Sequence, residues 1–81
     1  MAVNIRRLVE LAMVPPMAKE VTAQITANTG NKRRLMELGM AGPVASYVAN
    51  AITTDTATVA RLVECGFTPL LAKELQLQIT T

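Results

Sequence analysis

Apolar residues recur along the chain at helical spacing. Met17, Val21 and Ile25 stand four residues apart, as do Val44, Val48 and Ile52, and Leu71, Leu75 and Ile79. Four-residue steps keep side chains on one face of an α-helix, so each run predicts an amphipathic helix. Ahead of each run lies a shorter apolar pattern: Ile5, Leu8, Val9 and Ala12; Leu35, Met36 and Gly39; Val59, Leu62, Val63 and Gly66. These predict three further helices. Asn4, Asn31 and Thr58 precede them and suit the N-cap, because their side chains accept a hydrogen bond from the exposed first turn. Asp55 and Thr56 offer a second start for the third of them. Gly39 and Gly66 stand where a helix ends in the left-handed region, which glycine enters without steric cost. Ala12 occupies that place in the first unit, which predicts either a different turn or a strain of about 1 kcal/mol. Pro15-Pro16, Pro43 and Pro69 mark the starts of the longer runs, since proline fits a first helical turn. Thr68 can cap the last.

The pattern also repeats. Displaced by 27 residues, the sequence aligns with itself without a gap, dividing 1–81 into 1–27, 28–54 and 55–81. Six columns are identical throughout: Arg7, Arg34 and Arg61; Leu8, Leu35 and Leu62; Glu10, Glu37 and Glu64; Ala18, Ala45 and Ala72; Ile25, Ile52 and Ile79; Thr26, Thr53 and Thr80. Met13, Met40 and Phe67 share another, apolar column. The expected fold is all-α: three tandem helix–turn–helix hairpins forming one domain, with helices of roughly 8 to 11 residues, each too short to be stable alone in water. The hairpins must bury one another's stripes, either in an open row or closed about an approximate three-fold axis. At the repeated apolar columns the terminal copies are no more polar than the middle one, which favours closure, or ends that dock on another molecule.

Composition narrows the function. Hydrophobic residues make up 51% and charged ones 17%, the reverse of a disordered chain. A folded chain of this mass exposes about 4,700 Å², too little to hide so much apolar area, and an apolar patch left outside usually marks an association site. The absence of His removes imidazole-based catalysis and imidazole metal ligands. Cys65, the single thiol, permits no internal disulfide; it reads as a small buried apolar residue or as one half of an intermolecular bond. Carboxylates such as Glu10 and Glu20 have no companions for acid–base or metal chemistry. No enzyme, cofactor or metal is expected. The longest uncharged run, Leu38 to Thr54, is too short for a membrane span and carries Gly42, Pro43, Ser46 and Asn50. The N-terminus has charges at Arg6, Arg7 and Glu10 where a signal peptide would be apolar, so no targeting segment is expected.

Several residues are candidate partner contacts. Arg7, Arg34 and Arg61 each precede a Glu by three residues; they form local ion pairs, or bridge to a neighbouring hairpin or a partner. Met13, Met40 and Phe67, with Val14 and Leu70, fold over the core as caps or form an apolar tip. Tyr47 is a further contact candidate. Lys32, Arg33 and Arg34 form the one basic cluster, a candidate phosphate-binding patch. With a net charge of only +2 and no interleaved aromatic residues, nucleic acid is not the expected partner.

The unit R-L-x-E-x-G-[MF]-x-x-P-x-x-A-x-x-[VL]-x-x-x-I, best seen in 34–52 and 61–79, resembles short helical segments of structural proteins from tailed bacteriophages, small head proteins among them. The first copy departs from it at Ala12. The resemblance implies a virion structural role: a capsid decoration or cement protein, present in many copies, binding between subunits of the major capsid protein. It implies assembly in the bacterial host cytoplasm and residence in the phage head. It transfers no site residue. Cys65-Gly66-Phe67 after Leu62 looks like the loop of ubiquitin-associated domains, but their three-helix unit is longer than the period found here. The alternative class is a helical adaptor or regulator binding protein or nucleic acid in the bacterial cytosol.

Overall fold

The computed structural model describes residues 3–80. Among them are six α-helices and no strand: α1 Ile5–Glu10, α2 Pro15–Ala27, α3 Lys32–Glu37, α4 Gly42–Thr54, α5 Val59–Glu64 and α6 Pro69–Thr80. Short and long helices alternate, where nearly equal lengths were expected. The short ones stop early because the chain turns left-handed two residues past their ends. Ala12, Gly39 and Gly66 have φ of 85°, 112° and 114°. In each, the next residue's N–H reaches back five positions: Met13 to Leu8 O at 2.9 Å, Met40 to Leu35 O at 3.0 Å, Phe67 to Leu62 O at 3.1 Å. The left-handed residue bonds three back, completing a Schellman motif that satisfies the last carbonyls. Ala12 therefore adopts the same turn as the two glycines and carries the strain.

Two of the long helices, α2 and α4, end in the same way. Asn28 (φ 55°) and Asp55 (φ 57°) are left-handed caps of α2 and α4, so Asp55 closes a helix and does not open the next. Asn28 and Asp55 also meet: the Asn28 amide nitrogen donates to Asp55 Oδ1 and to Ile52 O, both at 2.9 Å. At the helix starts, Asn4, Asn31 and Thr58 each accept a hydrogen bond from the backbone N–H three residues on, at 3.1, 3.1 and 3.3 Å. Thr68 accepts from Leu71 N. Val14 and Ala41 lend α2 and α4 no side-chain cap, and proline in the first turn removes one donor needing it.

The core follows the long stripes. Val21, Val48 and Leu75 are fully buried, Ile25, Ile52 and Ile79 nearly so, and Ala18, Ala45 and Ala72 let the helices approach closely. From the short helices only Leu8, Leu35 and Leu62 enter the core. Ile5, Val9, Met36 and Val63 are exposed. A helix of less than two turns offers a single fully buried position, so these four neighbours face out, while Val59 at the start of α5 packs half-buried against the core.

Within each hairpin the two helices pack on each other: α1 on α2, α3 on α4, α5 on α6. Between hairpins, α2 packs on α3, and α6 returns to pack on α1, joining the last hairpin to the first. The Cα extents are 25 × 24 × 23 Å and the radius of gyration is 10.7 Å. The solvent-accessible surface of 4600 Å² matches the roughly 4,700 Å² of a folded monomer of this mass.

Candidate partner-binding face

The three hairpin turns meet at one end of the molecule. Met13, Met40 and Phe67 line a single depression of about 400 Å³, with Met17, Val44 and Leu71 from the first turns of the long helices. Each turn is aimed there by its Schellman motif, which pins the residue after the left-handed one against the preceding Leu. Met13 and Met40 are buried and Phe67 is half-buried, so the tip residues cap the core and floor the depression at once. Val14 and Leu70 are exposed. Cys65 lines the depression, half-buried. No charged side chain lines it. Apart from the Cys65 thiol, every side chain lining it is apolar.

The repeated arginines hold the hairpins together. Arg7 lies 3.6 Å from Glu10 on its own helix and 3.7 Å from Glu74 on α6. Arg34 lies 3.4 Å from both Glu37 and, on α2, Glu20. Arg61 lies 3.8 Å from Glu64, and its guanidinium stands 5.4 Å from the ring centroid of Tyr47 on α4. The local pairs with Glu10, Glu37 and Glu64 are half-exposed on both sides, so each contributes well under 1 kcal/mol, whereas Glu20 and Glu74 are mostly buried. Tyr47 is half-buried and its hydroxyl accepts from Thr58 N at 3.1 Å. Both the local and the bridging expectations for these arginines describe what they do.

Beneath two of these contacts lies a polar clamp. Asn4 N–H donates to Gln78 Oε1 and Gln78 Nε2 donates to Asn4 O, both at 3.1 Å; the same Nε2 donates to Glu74 Oε2 at 2.8 Å. At the α2–α3 joint, Asn31 N–H donates to Gln24 Oε1 at 2.9 Å, and Gln24 Nε2 donates to Asn31 O at 3.2 Å and Glu20 Oε2 at 2.9 Å. Gln24 and Gln78 are buried and fully bonded. Neither glutamine stood out in the sequence. The available signal was their shared place in the repeat, interrupted by Ala51 in the middle copy.

Of the basic cluster, Lys32, Arg33 and Arg34 all lie exposed on α3. Arg34 also pairs with Glu20 and Glu37, which offset part of the cluster's positive charge. The described residues contain no group of three or more potential metal ligands. No helix among them is long and apolar enough to cross a membrane. No family model, curated protein or solved structure matches the chain.

Proposed function

We propose that the chain is a non-enzymatic structural protein of a phage head, a decoration or cement protein that seats between major capsid subunits, with its three hairpins arranged about an approximate three-fold axis. The observation that carries this reading is the shared depression built from all three hairpin turns. Three similar hairpins with their turns on one face offer three similar contacts to similar neighbours. Exposed Val9, Met36 and Val63, in one repeat column, add an apolar residue to each. The sequence pattern points the same way through its resemblance to phage head segments. Binding that favours the assembled shell over its separated subunits stabilises it by linkage.

The test is to assemble heads with and without the chain and to measure shell dissociation against temperature and denaturant. Decorated heads are expected to resist both further. A chain carrying Val9→Asp, Met36→Asp and Val63→Asp is expected to keep its helical content and lose the effect. Equal resistance of decorated and bare heads would remove the proposal.

A further inference from the structure

The third hairpin is held in place by a distant part of the chain more than by its neighbour in sequence. α5 packs on α6 and α6 on α1, and neither packs comparably on α3 or α4. The hold on α1 is the Gln78 clamp on Asn4, with Arg7 beside Glu74. Toward α4 the hairpin has the Tyr47 hydroxyl on Thr58 N–H and the Arg61 guanidinium over the Tyr47 ring. Its tether to α4 runs only from Asp55 to Thr58. An element bound far away in sequence and joined by a short tether can make the same contacts on another copy, because the identical acceptor surface exists there.

The tether can also become helix. Residues 44–65 contain neither glycine nor proline, whereas Gly30 interrupts the matching connection between α2 and α3. Asp55 closes α4 at φ 57°, in the left-handed region, where a residue other than glycine is strained. Were α4 to run on through Asp55 into α5, that strain would be released, and one helix of roughly 33 Å would carry the third hairpin away from the first. Leu62, Leu75 and Ile79 are buried in the closed chain, so a hairpin carried away exposes them until it finds an equal site. Two features oppose the change. The Asn28 amide donates to Asp55 Oδ1 and Ile52 O, and Thr53, Thr54, Thr56 and Thr58 are weak helix formers. The closed chain therefore prevails in dilute solution. We propose that the tether is a hinge through which two copies exchange their third hairpins, each α6 clamping Asn4 of the other copy. The helix contacts of the closed chain are then remade between chains, except those of the hinge itself. The inference does not depend on the phage-head reading.

The full chain, held at about 1 mM in urea near its unfolding midpoint and then diluted into buffer, is expected to give a monomer and a dimer that separate by size exclusion and interconvert slowly. Asp55→Gly eases the closed turn and weakens a helix across the hinge, and should lower the dimerisation constant at least ~10-fold. Asp55→Ala keeps the strain, frees Asn28 and favours the helix, and should raise it about 10-fold. The exchange itself is read on an Arg7→Lys chain, prepared with and without a heavy-isotope label in equal amounts and mixed before the urea step. A carbodiimide then joins position 7 to Glu74 as an amide. In the dimer about half of those linked peptides should pair a light with a heavy chain, and in the monomer none should. A chain that stays monomeric under this treatment, a dimer whose links from position 7 to Glu74 are all within one isotope, or a dimerisation constant that Asp55→Gly leaves unchanged would each overturn the proposal.

Discussion

Ala12 holds a backbone conformation that glycine holds in the other two hairpins. A Cβ built on Gly39 or Gly66 would meet no atom within 4 Å, so the cost of a side chain at these turns is backbone strain alone. Ala12→Gly should therefore stabilise the chain, by about 0.5–1 kcal/mol after the extra freedom of the unfolded state is subtracted. Gly39→Ala and Gly66→Ala should each cost about 1 kcal/mol, as read by urea denaturation. Gly30 is constrained differently. A Cβ there would overlap the Ala49 carbonyl oxygen, in backbone that cannot yield as a side-chain end does. Gly30→Ala should cost more than about 2 kcal/mol, and a melting temperature equal to that of the parent would refute the close approach. Gln78→Leu preserves bulk but strips Asn4 N–H and C=O of their partner, at a cost of about 1–3 kcal/mol.

The six helices were legible in the sequence because each of their devices is local: caps at Asn4, Asn31 and Thr58, left-handed residues after the short helices, prolines before the long ones. Their lengths were not. The apolar pattern of the short helices runs through Val9, Met36 and Val63, and periodicity cannot tell an inward residue from an apolar one facing out. The joints were half legible. Repeated Arg and Glu showed as columns, but Gln24 and Gln78 act on the backbone of a residue far away or across a loop, and nothing beside them in the sequence reports that. The three joints are also unequal. Between α4 and α5, Tyr47 and Ala51 replace the Glu and Gln of the other two, leaving a hydroxyl acceptor and a ring under Arg61. This joint should open first. Native-state hydrogen exchange is expected to give α5 amides a lower opening free energy than those of α1 and α3. Tyr47→Phe, which removes the acceptor for Thr58 N, should lower it by a further ~1 kcal/mol.

For the whole molecule, the contact between α6 and α1 matters most. Asn4 and Gln78 lie 74 positions apart in sequence and are bonded twice. Asn4 and Gln78 are thus neighbours, and a linker joining the segments that flank them should cost little. A circular permutant opened between Thr54 and Thr56, at the weakest joint, is expected to fold with the parent's helical content; loss of its cooperative thermal transition would count against a closed arrangement. α1 and α6 pack on each other, so part of each is covered without a polar outer face. The candidate site was the least legible level. A depression shared by three turns exists only once the hairpins are assembled, and its lining residues are ordinary core types in the sequence.

The glutamine clamp reads only the main chain of the residue it holds. One side-chain amide takes the N–H and C=O of Asn4 or Asn31 as another strand of backbone would, whatever side chain that residue bears. Such a joint has a sticky end and a receptive end, and it fits any unit that begins with a free main-chain pair. The clamp closes two joints, α2 to α3 and α6 to α1, and Ala51 leaves the joint between α4 and α5 without it. A glutamine placed at position 51 would therefore have the Thr58 main chain to hold.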